Sequence, residues 1–305
     1  MNAMGWFGRL AMMAVLCVSI PPVGAAEVAT ALGPVEIGGV PKTVAVYDVA
    51  AVDTLLHLGI RPAGTPKKLF VPELEAALTG TAAVGTLQEP DLEALSALAP
   101  DLIVVGGRSS PHLARVRQVA PAIDMSIDGK DLLADARRRL TAYGQMFGRQ
   151  AQASAAAARI DAAADAARKA AAGRGRALIV MTNGPKLSAY GVASRFGWLH
   201  SELGIPPAAP DLGAALHGEV VSFEFIRKVN PDWLIVLDRT AAIGETGASA
   251  RATLTNDLVA QTTAGRTGQI VYLPPADFYI AAGGVSATLR VLARIEERFG
   301  AAPKP

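Results

Sequence analysis

Apolar positions along this chain fall into two recurring arrangements. Short, largely apolar runs of strand length occupy residues 43–47, 102–105, 177–181, 233–237 and 269–273, that at 233–237 being continuous. Such runs are the pattern of a strand covered on both faces. Between them lie stretches whose apolar residues recur three and four apart, closed by Gly59, Gly204 or a Pro-Asp break, which predicts helices. The alternation of the two predicts parallel sheets. Residues 131–172 break the rhythm. They are rich in Ala, Arg and Gln and nearly free of β-branched residues, so they read as helix with a bend or break near Gly144 and Gly148. After them the strand–helix pattern restarts, which makes 149–172 a helical link between two lobes. Residues 27–40 read as a Gly-punctuated leader, 182–194 and 274–284 as loops, and 285–299 as an amphipathic helix.

One device occurs twice. A short helix, a Pro-Asp break, an apolar strand and an Arg appear over 91–108 and again over 222–239. Glu93 and Glu224 each stand seven residues before the proline, and Arg108 and Arg239 each stand eight after it. The proline pushes the preceding residue out of the helical region and so ends the helix. The matched Glu and Arg point to two lobes built alike, with the two arginines facing each other across a cleft.

Composition narrows the class. The chain has 305 residues, 51% of them hydrophobic and 18% charged, enough for two globular lobes. Arg9, the apolar segment 10–20 and the small-residue stretch 21–26 read as a secretory signal. The expected organisation is therefore a signal peptide over 1–26, an N-terminal lobe over 27–148, an interlobe helix over 149–172 and a C-terminal lobe over 173–305. Cys17 is the one cysteine and lies within the apolar segment, preceded by Leu16, a context that disfavours lipid attachment. Arg9 is the one charge in the first 26 residues, so a formal +2 falls to +1 without them, which argues against a polyanion or nucleic-acid partner.

Ligands of open parallel sheets bind beyond the carboxyl ends of the strands. Arg108, Arg239 and the loops carrying Arg195 and Tyr279 all follow strands, and His217 lies in the connection before the second copy of the device. Three guanidiniums in a partly desolvated cleft suit an anion of several charges, because Arg presents a planar fork to oxygen acceptors. Taken singly, Arg108, Arg195 and Arg239 also fit solvated or packing roles, and Tyr279 beside Phe278 fits a core position. Glu93 and Glu224 favour helix N-termini whatever else they do. There is no Gly-x-Ser-x-Gly elbow, His-Glu-x-x-His or Walker A loop, and the four histidines are scattered, which disfavours a hydrolase or a dedicated zinc or manganese carrier.

Four segments carry a family resemblance: Ala-Ser-Arg-Phe-Gly at 193–197, His-Gly-Glu-Val-Val-Ser at 217–222, the stretch 230–239, and Phe-Tyr-Ile-Ala-Ala-Gly-Gly at 278–284. Through them the chain, from about Gly39 to Phe299, resembles the periplasmic substrate-binding proteins of bacterial iron–siderophore ABC transporters. It is most similar to the branch that binds ferric catecholates. The resemblance implies two Rossmann-like α/β lobes with parallel sheets joined by a single long helix. It implies that Arg108, Arg195 and Arg239 bind the catecholates. His217 and Tyr279 would coordinate iron where the siderophore leaves two positions open, and Glu93 and Glu224 would dock onto an inner-membrane ABC permease. The implied protein is a periplasmic monomer without catalysis or intrinsic cofactor, its iron arriving within the siderophore complex. A haem carrier of the same fold is the first rival, and a periplasmic enzyme using His217 as a base is the second.

Overall fold

The computed structural model describes residues 26–301 apart from 214, 216 and 217. All but the last residue of the segment 1–26, read as a signal, and the candidate ligand His217 thus lie outside the described residues. Strands β1 (Ala26–Thr30) and β2 (Gly33–Ile37) pair as an antiparallel ribbon. The first lobe is built on β3 (Val44–Val46), β4 (Gly64–Thr65), β5 (Ala82–Ala83), β6 (Leu102–Val105) and β7 (Ala122–Asp124), all parallel in the order β5-β4-β3-β6-β7. The second is built on β8 (Ala177–Asn183), β9 (Lys186–Tyr190), β10 (Glu219–Val220), β11 (Trp233–Asp238) and β12 (Ile270–Tyr272), in the order β10-β9-β8-β11-β12. There β8, β11 and β12 are parallel, while β9 and β10 run antiparallel to their neighbours.

The antiparallel strands qualify the parallel reading of the second lobe. Residues 182–194 read as a loop in the sequence, yet β9 folds straight back on β8 with Met181 opposite Ser188. Its mixed sequence, Lys-Leu-Ser-Ala-Tyr, lacks the continuous apolar run of a doubly covered strand. The residues read as a leader likewise form β1 and β2, whose exposed and covered positions alternate because only one face packs.

The repeated device folds alike in both places. Helices Leu92–Leu98 and Phe223–Val229 end on Ala99 and Asn230, both left-handed, at φ 47° and 46°. Each Pro-Asp carboxylate then secures the start of the neighbouring strand. Asp101 accepts the N–H groups of Lys42 and Thr43 at 2.7 and 3.1 Å, and Asp232 accepts that of Arg176 at 2.7 Å. Strands β6 and β11 follow, buried almost throughout.

The segment read as one broken helix is two, Leu132–Met146 and Gln150–Ala171. The second buries Ala153, Ala156, Ile160, Ala164, Ala167 and Ala171, a stripe at helical spacing, against the first helix and the C-terminal helix Val285–Ala301. Small alanine side chains let these helices approach closely.

Two carboxylates cap helices remote from them in the chain. Asp53, 2% exposed on helix Val49–His57, accepts the N–H groups of Ser286 and Ala287 at 2.7 and 3.2 Å, at the start of the C-terminal helix. Glu202 of the second lobe accepts those of Leu133 and Ala134 at 2.9 and 3.2 Å, at the start of helix Leu132–Met146. Burial pushes the Asp53 carboxyl above its usual range, an effect the two N–H donors oppose. Caps of this kind are worth about 1–2 kcal/mol. Asp53→Ala and Glu202→Ala are each expected to lower the unfolding free energy by about that amount in urea titrations. A change near zero for both would mean that these caps do not hold the helices in place.

Candidate functional site

A cleft of about 460 Å³ opens between the lobes at the carboxyl ends of the central strands. From the first lobe it takes Tyr47 and Asp48 after β3, Arg108 after β6 and the turn at Ile127–Gly129 after β7. From the second it takes Arg195, Phe196 and Trp198 after β9, and Phe278 and Tyr279 after β12. The lobes approach closely here, since a Cβ on Gly129 would lie 3.3 Å from the Arg195 carbonyl oxygen. The residues read as a loop over 274–284 include a short helix, Pro275–Tyr279, which places Tyr279 at its end.

Tyr279 is the meeting point of three guanidiniums. Those of Arg108 and Arg195 lie 5.1 and 5.0 Å from the centre of its ring. Arg195 also donates to the Tyr279 carbonyl at 3.4 Å. Arg239, steadied by donation to Asn183 Oδ1 at 3.2 Å, acts on the phenol oxygen. Phe196 stacks on Phe278 at 4.5 Å, and Tyr190 packs edge-on against Phe196 at 4.7 Å. This wall holds the Arg195 segment and the Tyr279 segment together.

Electrostatics follow from this crowding. Burial raises the Tyr279 phenol, but hydrogen bonding to Arg239 and the charges of Arg108, Arg195 and Arg239 outweigh it and leave it below its usual range. Burial acts against the Arg195 charge and so does Arg108, while Tyr279 and Tyr190 favour it. The cleft therefore gathers positive charge that an anionic ligand would relieve.

The other four tyrosines shift the opposite way. Burial raises Tyr47, Tyr143, Tyr190 and Tyr272, with Tyr143 and Tyr190 pushed to about 12. Ultraviolet titration of the phenolate band is thus expected to show one early ionisation below the ordinary tyrosine range and four late ones. Tyr279→Phe should remove the early step alone. An unchanged curve would mean that the arginines do not polarise this phenol.

Asp48 and Arg139 belong to none of the motifs legible in the sequence. They form an ion pair at 2.9 Å in the cleft wall, with the Arg139 side chain 5% exposed. Asp48 also accepts the N–H groups of Ala50 and Ala51 and so caps helix Val49–His57. Its place just past β3 was a usable signal. Nothing in the helical pattern around Arg139 distinguishes it from Arg137 or Arg138. Glu93 and Glu224 are exposed in the first turns of helices Leu92–Leu98 and Phe223–Val229 and do not line the cleft. Hydrogen bonding to its own backbone N–H and to Ser222 lowers the Glu224 carboxyl. Among the described residues, no three His, Cys, Asp or Glu side chains are grouped to hold a metal ion, and no helix is long and apolar enough to cross a membrane.

A family model described as periplasmic binding protein matches residues 44–276. The chain is 33% identical to the petrobactin-binding protein YclQ of Bacillus subtilis over 84% of its own length and 82% of that protein. It is 30% identical to the ferric-anguibactin-binding protein FatB of Vibrio anguillarum over the same shares. Among solved structures, YclQ superposes with a TM-score of 0.85 at 31% identity, covering 90% of this chain and 98% of that one. The periplasmic catecholate-siderophore binding protein VctP of Vibrio cholerae gives 0.84 at 29% identity, covering 90% and 99%.

Proposed function

The chain belongs to the periplasmic binding protein family, and from that premise we propose that it captures a ferric siderophore, a catecholate, and delivers it to an inner-membrane ABC permease. The observation that carries this reading is the convergence of Arg108, Arg195 and Arg239 on Tyr279. A ferric catecholate presents several anionic oxygens around one hard cation, and guanidinium forks match such acceptors in charge and geometry. Arg108 and Arg195 would hold catecholate oxygens at the cleft wall. Arg239 would keep the Tyr279 phenol polarised, ready to serve as a phenolate donor.

Iron would enter as part of the cargo. Where the siderophore fills four of its six positions, Tyr279 and His217 would close the remaining two. The exposed Glu93 and Glu224 would meet basic side chains of the permease, one from each lobe. Rim charges of this kind steer and orient more than they tighten. The reading takes 27–148 and 173–305 as the two lobes of a periplasmic monomer, with 149–172 as their link. It assigns binding without turnover.

Titration with a ferric bis-catecholate, and in parallel with haem, tests this. Quenching of tryptophan fluorescence is expected, because Trp198 lines the cleft, together with a shifted iron–catecholate absorption band. Tyr279→Phe and His217→Ala should each weaken the bis-catecholate while sparing an iron complex that has no open position. Equal losses for both complexes would remove the coordination role. A haem response without a catecholate response would transfer the function to haem.

A further inference from the structure

Beside the main cleft lies a second cavity of about 730 Å³, at the carboxyl ends of β4 and β5. Leu87 lines both cavities, so they share a wall. The rim of the second is the segment Lys67-Lys68-Leu69-Phe70. Phe70 stands at φ 66°, a left-handed backbone that strains an aromatic residue. The Glu75 carboxylate holds it there by accepting the N–H groups of Leu69 and Phe70, both at 2.9 Å. Lys68 Nζ then sits 4.7 Å from the centre of the Phe70 ring.

This rim reaches the other lobe. Gly244, just past the short helix Arg239–Ala242, comes so near that a Cβ on it would lie 2.7 Å from Lys68 Nζ and 3.9 Å from Phe70. The helix begins at Arg239, one of the three arginines around Tyr279. Among the described residues no carboxylate forms an ion pair with Lys67 or Lys68, and the Glu75 oxygen is occupied by backbone donors. A strained aromatic, an unpaired ammonium stacked beside it and a chamber adjoining the cleft are thus held together at one edge of the site.

Resting on the siderophore reading, we infer that this annex takes a peripheral arm of the ligand. The arm is aromatic and anionic, its ring lying on Phe70 and its charge paired with Lys68, while the iron centre stays in the main cleft. The strain at Phe70 is then the cost of presenting a ring edge and an ammonium in one direction before the ligand arrives. The arm makes the segment a selector among iron complexes that share one centre.

The test uses two ferric bis-catecholate probes with the same linker, one bearing a pendant benzoate arm. Wild-type protein should bind the armed probe more tightly. Lys68→Ala is expected to weaken the armed probe about tenfold and the unarmed one by less than about twofold. Phe70→Gly, which the left-handed backbone accepts, should show the same selectivity. Lys169→Ala, an exposed lysine on the interlobe helix, controls for bulk charge. Equal losses for both probes, or the same selective loss from Lys169→Ala, would overturn the annex and leave the siderophore reading standing. Failure of wild-type protein to bind either probe would overturn that reading and the annex with it.

Discussion

Arg195→Ala is expected to weaken binding of a ferric catecholate about a hundredfold or more at fixed pH and salt. Removing one partner of a buried charged contact costs about 2–5 kcal/mol, much of it from the charge left unpaired in the ligand. Arg195 is the arginine for which this applies most fully. It is half-buried, it lies against both Tyr279 and Phe196, and it donates to the Tyr279 carbonyl. Its loss would therefore also free the Tyr279 segment. Arg195→Lys keeps the charge but not the planar fork, and should recover only part of the affinity. Fluorescence titration of the purified variants decides the matter. An Arg195→Ala affinity within a few-fold of wild type would mean that the ligand is not held at this cluster.

The second large effect concerns stability. Arg139→Ala should lower the unfolding free energy by about 3–5 kcal/mol, because it leaves the Asp48 carboxylate without its buried counter-charge. The pair lies at 2.9 Å in the cleft wall, with side-chain exposures of 5% and 12%. Replacing both partners at once, Asp48→Asn with Arg139→Met, should cost less than Arg139→Ala alone. No stranded charge remains, and the amide oxygen can still cap helix Val49–His57. Urea unfolding of the three variants measures the coupling. If the double variant were as unstable as Arg139→Ala, the cost would lie in packing and not in charge.

The Tyr279 phenol shows why site residues can be named from sequence while their chemistry cannot. Its position in a segment following an apolar strand was legible. Its lowered pKa was not, because it depends on Arg239 and Arg108, 40 and 171 residues away in the chain. The same holds for the long-range caps. Asp53 reads as one polar residue on a helix, and its partners, the N–H groups of Ser286 and Ala287, are more than 200 residues distant. Arg139 could not be told from its neighbours Arg137, which pairs at the surface with Asp161, and Arg138, an exposed side chain that reaches the buried Asp135. Helical periodicity leaves all three available, and only the packed cleft wall selects one.

Legible in the sequence were the apolar strands β3, β6, β8, β11 and β12 with the helices between them, the duplicated helix–Pro-Asp–strand–Arg device and the arginines placed after strands. These rest on local physics: periodic burial, the proline effect on the residue before it, and the exit of chain from a parallel sheet. Only packing settles the return of β9 along β8, the pairing of β1 with β2, the caps that Asp53 and Glu202 place on distant helices and the strained rim at Phe70. Each of those is settled by a partner remote in the chain, and the energy of a contact belongs to both of its sides.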